Sequence, residues 1–532
     1  MSPKGEDPSG RLPGIRCHYG KVGCYTGLYE GRAWILEPES LEQLRQIFAY
    51  ARESGRSVTM RGTGHSFDGQ PIGEDLVVST QRLNSIKLLD DDRVRVGPGA
   101  RWGEIFSATQ PHGLVPAITV TTDSATAGGT LSADCLSRFS PAYGKEGRQV
   151  AEFELLTTEG ELLKCSAPPP DTPWEDLTRE QRAFRGVIGG FGYLGAIVSI
   201  TYRLLAVGAS EDGRIGVRTF ARTYESFEPL ARDLLPATER TYGEKSDPND
   251  RGKLDAIWSG VVPRRGGRDR VFLFTSAFTP ESERRRLILH RPRLRLRVPY
   301  EWLMRVGWTC RLLWALAFRI GFRRDAYIDD LEGFTFFMDG NARAKRAGKR
   351  LGFSMRNIQQ TFVLPFDPTG EPGWQAGHDA LVEWLDLAEG LLNERGLRPT
   401  LQDVLFLPGD EPFLLSSTAA GAGFAVSYAF ETSRRSTLRS ASEAFSDLAD
   451  LLWERFGGRV HLVKNVMASK RMLAEMYGES AQRFFALKDE LDPAGILRND
   501  FLERTFGEFV SADAPPAADR NQPIEATETG EG

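Results

Sequence analysis

Apolar residues in the first two hundred positions fall into short runs broken by polar turns, with one stretch at helical spacing among them. Leu41, Leu44, Ile47 and Phe48 recur every three or four residues behind Ser40, whose side chain can cap free N–H groups, and Gly55 closes the run. The spacing predicts a helix over 41–54. Ser57-Val-Thr-Met60 reads as a buried strand; Asp75-Leu-Val-Val78, Ile86-Lys-Leu-Leu89 and Arg93-Val-Arg-Val96 read as further strands between polar turns. Residues 1–30, rich in Gly and Pro, read as an N-terminal loop segment. Residues 206–455 have longer spacers, more Pro and helical stretches at 378–395 and 440–456. Strand-plus-helix patterning returns over 456–510, and the polar, Pro/Ala-rich tail 511–532 reads as disordered.

Composition narrows the class. The 532 residues are 41% apolar, ample for a packed core, and domain sizes of ~100–200 residues give two or three units. A net charge of -5 argues against a globally basic nucleic-acid binder. The 5 cysteines (Cys17, Cys24, Cys135, Cys165, Cys310) include no CxxC pair, so neither a disulfide scaffold nor a metal site is expected. The N-terminus has no apolar h-region, which makes cytoplasmic the default location.

The strongest local signal is Arg61-Gly62-Thr63-Gly64-His65-Ser66-Phe67, directly after the strand at 57–60. Paired glycines let the backbone turn tightly and aim its N–H groups at one point, as cradling a pyrophosphate requires; an ordinary Gly-rich turn is the alternative for this motif alone. Residues 116–144 are dense in small side chains, which let backbone approach a flat ring. Gly190-Phe-Gly192-Tyr-Leu-Gly195 spells the Rossmann fingerprint, but a charged helical stretch precedes it and a β-rich run follows. That order is the reverse of what nicotinamide binding needs, and the reading is rejected. His461-Leu-Val-Lys464 alternates as a strand would, and an inward Lys464 would need negative charge beside it; an edge-strand surface lysine is the alternative.

Taken in order, the helix, the strand, RGTGHSF, Leu83-Asn84, Val96-Gly-Pro-Gly99, Gly128-Gly129-Thr130, the 184–195 segment, Gly457–Lys464 and Lys488–Pro493 resemble the PCMH-type FAD domain of the vanillyl-alcohol oxidase superfamily. Decaprenylphosphoryl-ribose 2-oxidase-like and delta-24 sterol reductase-like flavoproteins are the nearest branches. The resemblance covers 33–205 and 455–505 well and 206–454 loosely. It implies an α+β protein in which a discontinuous, two-subdomain FAD-binding domain (31–205 and 456–510) encloses a substrate or cap domain with an antiparallel sheet (206–455).

The resemblance also implies roles. FAD would meet Arg61, Gly62, Thr63, Gly64 and Ser66, with His65 bonding covalently to the flavin 8α carbon; a histidine that only packs in the loop is the alternative. Thr122, Ser124, Gly128, Gly129, Thr130, Ser132 and Ala133 would line the ring and pyrophosphate, as would Ile197. Cys135 would lie near the ring, as an inert thiol in preference to a second covalent link. Lys464 would stabilise reduced flavin and orient substrate. His461 stands where the nearest branch has a tyrosine, as substrate contact or base. Gln359, Ser427 and Tyr428 would reach over the ring from neighbouring strands of the cap. Segment 136–142 lacks the histidines of sugar-oxidising relatives.

The expected reaction is hydride removal from an alcohol carbon of a sugar-, polyol- or lipid-like substrate to flavin N5, with oxygen or another acceptor completing the cycle. Two alternatives stay open: flavin-dependent C=C reduction of an apolar, sterol- or isoprenoid-like substrate, and a non-catalytic membrane-associated flavoprotein. The last of these draws on 284–324, where twelve arginines face one acidic residue, Glu301. Within 298–322 the charges would fall within about 120° of helical arc, and Trp302, Trp308 and Trp314 suit peripheral contact with an anionic membrane; packing inside the protein is the equal alternative.

Overall fold

Ser40 starts the first helix, Leu41–Ser54: its hydroxyl accepts the N–H of Gln43 at 3.3 Å, and Gly55 ends the helix at φ 66, a conformation that favours glycine. The computed structural model describes the chain except residues 1–4, 90–91, 118–119, 212, 243–253, 263–269, 280–325, 337–355, 410–412, 420, 433 and 510–532. The arginine-rich segment and the tail lie outside the described residues.

Leu44, Ile47, Phe48 and Ala51 of that helix pack on a sheet of β1 (Arg16–Gly23), β2 (Glu30–Glu37), β3 (Val58–Arg61) and β4 (Leu76–Ser79), in the order β1-β2-β4-β3. β4 runs parallel to both its neighbours, and β1 is antiparallel to β2. The loop reading of residues 1–30 is corrected here, since Arg16–Gly23 pairs along its whole length. As a polar edge strand holding Gly20 and Gly23, β1 shows little of the alternation that marks a half-buried strand.

The second sheet joins β5 (Ile86–Leu88), β6 (Arg93–Val96), β7 (Leu114–Pro116), β8 (Val150–Leu156), β9 (Leu162–Ser166) and β10 (Ala196–Ala206) in the order β5-β6-β10-β8-β9, with β7 beside β10. The GxGxxG segment connects helix Arg179–Val187 to β10, so the chain runs helix to strand. A Cβ on Gly190 would stand 2.3 Å from the Gly186 carbonyl, which shows close packing at work there.

β11 (Gly216–Tyr224), β12 (Ala256–Val262), β13 (Arg270–Phe278), β14 (Ala326–Asp330), β15 (Arg356–Pro365), β16 (Leu401–Leu407), β17 (Gly423–Thr432) and β18 (Arg459–Val460) form the third sheet, β14-β11-β13-β12-β16-β17-β15-β18. Its pairings are antiparallel, so opposed residues share a face. One face carries the helices: Phe362 packs on Trp384 at 5.1 Å and Phe445 at 6.0 Å. The other face presents Gln359 and Thr361 from β15, Ser427 from β17 and Asp403 from β16. The fold is α+β. No helix among the described residues is long and apolar enough to cross a membrane.

Candidate active site

β3 delivers the chain into the loop 61–67. A Cβ on Gly62 would stand 2.2 Å from the Thr126 hydroxyl, and Gly64 turns at φ 78, so both glycines are required for the loop to lie against segment 126–129. Arg61 folds back beneath the loop and donates to the carbonyls of Gly23 (3.0 Å) and Pro71 (3.1 Å). It braces the turn. His65 Nδ1 lies 3.0 Å from the Thr63 hydroxyl, and Nε2 lies 3.3 Å from Ser124 Oγ, itself 3.0 Å from Thr122 Oγ1. Tyr25 stacks on the imidazole at 6.1 Å between centroids, and its N–H donates to the Ser66 carbonyl at 2.8 Å.

Helix Ala127–Leu131 faces the loop. Gly129 is exposed there, whereas Gly128 is buried against Pro98. The Thr130 hydroxyl is turned inward, 3.0 Å from Trp102 Nε1 and 2.9 Å from Glu146 Oε1, so its side chain serves the core and does not line the open surface. Glu146 also accepts from the Tyr202 hydroxyl at 2.6 Å, and burial pushes its pKa up to about 8. Asp134 pairs with Lys145 at 2.6 Å in the interior. Ser132, Ala133 and Cys135 are half-buried along the same edge; the Ser132 carbonyl takes the Phe191 N–H at 2.8 Å. Ile197 is buried in β10 opposite Leu155.

The expectation of a strand through Lys464 is corrected by a turn. β18 stops at Val460; His461 adds one more ladder bond, its N–H to the Thr361 carbonyl at 2.9 Å, and the chain then bends over 462–464. Asn465 causes the change. Its Oδ1 accepts the Gln359 N–H at 2.9 Å and its Nδ2 donates to the Phe67 carbonyl at 2.8 Å, replacing ladder partners with bonds to two separate segments. Buried Asp68 takes the Val466 N–H at 2.9 Å beside it.

These bonds bring Lys464 to the His65 loop. Its Nζ stands 3.7 Å from the Phe67 ring centroid, and it has no ion-pair partner among the described residues. Burial lowers its pKa, while Cys135 and Asp403 pull the other way. His461 is buried, with Nδ1 3.1 Å from the Ser417 hydroxyl and Nε2 lacking any hydrogen bond. Burial, then the ammonium groups of Lys145 and Lys464, hold its pKa well below the ordinary histidine value, so the ring is neutral. Asp403 accepts the Trp258 indole N–H at 2.9 Å, and burial raises its pKa.

Gln359 and Ser427 lie on this side of the third sheet, Ser427 bonded to Thr361 at 2.6 Å. Tyr428 does not join them. Register turns it to the helix face, where it packs edge-on against Phe362 at 6.0 Å. Asn465, Asp68 and Asp403 were absent from the sequence reading. An acid directly ahead of the apolar run Val404–Leu407 was the one signal that pointed to any of them, because a charge in such a strand needs a reason.

The arrangement suits a dinucleotide with a redox ring. Glycine-lined backbone lies open at 62–64 and 129, Thr126 Oγ1 is buried without a hydrogen bond beside Gly62, and an unpaired ammonium stands at the far end. Among the described residues no group of 3 or more His, Cys, Asp or Glu could hold a metal.

Comparison with known proteins gives the same class. An FAD binding domain profile matches residues 33–166, and a D-arabinono-1,4-lactone oxidase profile matches 408–505. These matches make the chain similar to PCMH-type FAD-binding flavoproteins, and the FAD binding domain at 33–166 indicates FAD as the cofactor. It is 26% identical over 246 residues (44% of this chain, 52% of the relative) to an uncharacterized oxidoreductase, ORF5 in the fasciation locus of Rhodococcoides fascians. It is 31% identical over 171 residues (32% and 35%) to decaprenylphosphoryl-beta-D-ribose oxidase of Mycolicibacterium smegmatis. L-gulonolactone oxidase of Bos taurus is 20% identical over 493 residues, 91% of this chain and 96% of the relative. The alignments with the first two span about half or less of those relatives' lengths.

Proposed function

We propose that this protein is an FAD-dependent oxidoreductase that removes a hydride from an alcohol carbon of a sugar-, polyol- or lipid-like substrate. The observation that carries this reading is the Lys464 ammonium, half-buried, without a carboxylate partner among the described residues, and held over Phe67 two positions beyond His65. A cation desolvated in this way is costly unless a ligand brings negative charge. When bound, FAD supplies the hydride acceptor.

In this reading Lys464 would hold the isoalloxazine, and its ammonium would offset negative charge on the reduced ring. Gly62, Gly64 and Gly129 leave backbone N–H groups free to approach the dinucleotide. His65 would bond the 8α carbon; the Thr63 and Ser124 hydroxyls lie at its two ring nitrogens and fix the orientation of the imidazole. Asp403 takes the substrate hydroxyl proton: burial raises its proton affinity, and Trp258 fixes the orientation of the carboxyl group. His461, neutral and with an unpaired Nε2, hydrogen-bonds the substrate. Relatives named for lactone and ribose oxidation support an alcohol carbon as the reacting centre.

One observation favours a second reading. Leu136 packs against Val363, Leu407 and Ala425, an apolar patch on the same sheet face as Ser427 and Asp403. Half-buried Leu136, capping that buried cluster, gives this face an apolar lining that suits an apolar substrate, and reduction of an apolar alkene on the same scaffold is the second reading.

The test starts from acid-precipitated protein: yellow colour kept in the pellet, and lost in His65→Ala, supports the covalent link, whereas FAD released into solution refutes it. Anaerobic mixing with lactones, alditols and ribosides then asks which bleaches the flavin. Bleaching by none of them, with reoxidation of photoreduced protein by an apolar alkene, would move the assignment to the second reading.

A further inference from the structure

We propose that Phe67 is a positioning residue: its ring seats the Lys464 ammonium and holds that charge unpaired at the site, with Tyr25 tying the seat to His65. The inference rests on the reading that Lys464 meets FAD.

The distance of 3.7 Å from Nζ to the Phe67 centroid is well inside the ~6 Å range of cation–ring attraction, and shorter than the 4.1 Å of Arg138 over Trp258. Phe67 is held through its backbone and through its ring. The Phe67 carbonyl accepts from the Thr26 hydroxyl at 2.7 Å and from Asn465 Nδ2 at 2.8 Å, so the residue after Lys464 is bolted to the seat itself. Tyr25 meets the Phe67 ring at 5.4 Å and stacks on His65 at 6.1 Å. His65, Tyr25, Phe67 and Lys464 therefore form one column drawn from three separated stretches of chain.

The chemistry explains why a ring serves here. A carboxylate in contact with Nζ would neutralise it and compete with an anionic ligand edge. Water would leave a four-carbon stem free to sample many rotamers. An aromatic face attracts the ammonium through its quadrupole, fixes it and leaves the charge uncancelled. The charged and titratable groups facing Lys464 are Cys135 beyond helix Ala127–Leu131, Asp403 from β16 and His461 from its own turn. None forms an ion pair with it, and Asp403 is engaged by Trp258 at 2.9 Å.

The experiment uses the FAD-loaded enzyme as wild type, Lys464→Met, Phe67→Leu, Phe67→Met and Phe67→Trp. The readouts are the flavin midpoint potential and the alkaline limb of the pH profile for anaerobic flavin bleaching. Lys464→Met is expected to lower the potential. Phe67→Leu should weaken the preference for the reduced state about tenfold, about 30 mV for a two-electron couple. It should also move the alkaline limb about one pH unit lower, because the ammonium loses a stabilising face. Phe67→Met, nearer in volume, carries the same expectation should the leucine variant fail to fold, and Phe67→Trp should keep both readouts near wild type. A shifted potential in Lys464→Met with both readouts unchanged in Phe67→Leu and Phe67→Met overturns the seat alone. An unchanged potential in Lys464→Met overturns the underlying reading, and the seat with it.

Discussion

Asp68 and Arg504, 436 residues apart, form an ion pair at 2.5 Å that closes the seam between the His65 loop and the carboxy-terminal helix Asp500–Phe506. The same seam holds Lys464 in place. Asp68 takes the Val466 N–H, Arg504 donates to the Val466 carbonyl at 3.3 Å, and its guanidinium covers Tyr29 at 5.0 Å. Removing one partner of such a pair leaves a desolvated charge behind. Asp68→Ala is expected to destabilise the protein by about 3 kcal/mol, with Asp68→Asn losing less because the amide oxygen can still accept. Chemical denaturation of both variants checks this; equal losses would mean that the charge alone, and not the accepted hydrogen bonds, carries the effect.

Gly62→Ala should strip the protein of FAD while leaving most of the fold intact. The added methyl would meet the Thr126 hydroxyl at 2.2 Å, which forces the 61–67 loop away from helix Ala127–Leu131. Thr126→Ala removes that hydroxyl, so the double variant should recover part of the flavin content. Absorbance of the purified proteins decides it, and a Gly62→Ala variant with full flavin content contradicts the proposed contact.

Glu146 predicts a pH effect of unusual sign. Burial raises its pKa from 4.5 to about 8, so the folded protein keeps a proton that the unfolded chain releases across that interval. The group's contribution is present at low pH and is lost as pH rises through about 8. Glu146→Gln cannot ionise. Between about pH 6 and about pH 9 the wild type should lose ~2–3 kcal/mol more stability than the glutamine variant. Parallel urea titrations measure the difference, and identical slopes would rule out a buried, protonated Glu146.

His461 works in the opposite direction. Its folded pKa lies well below 6.5, so its contribution is complete above the unfolded value and is lost as pH falls through that region. His461→Gln should therefore resist acid better than wild type between about pH 7 and about pH 5, while turnover falls because a substrate contact is gone. Thermal unfolding across that range checks the first part and steady-state kinetics the second.

Much of the fold was legible where the signal is local. Ser40 and Gly55 bracket a helix whose apolar period lies in adjacent turns, and β3 followed by Arg61–Phe67 needs no distant partner to be read. What failed depends on partners far along the chain. Asn465 turns the His461–Lys464 segment away from strand geometry through a carbonyl 398 residues distant, and no pattern near Asn465 announces that bond. Tyr428 and Ser427 are neighbours in sequence, so strand alternation puts them on opposite faces, and the register of β15 and β17 decides which face each takes. Register comes from the whole sheet, so a short β-rich run could not say which of the two faced the site. β1 was hidden by its own edge position, where polar residues and glycine are tolerated.

The central claim, that the His65 loop and Lys464 close on one isoalloxazine, is tested most directly by a crystal structure of the FAD-loaded protein. The ring is expected between them, with continuous density from His65 to its dimethylbenzene edge and Lys464 Nζ within hydrogen-bond distance of its N1–C2=O edge. A flavin bound elsewhere, or a ring with Lys464 turned away from it, would rule out a shared site for His65 and Lys464.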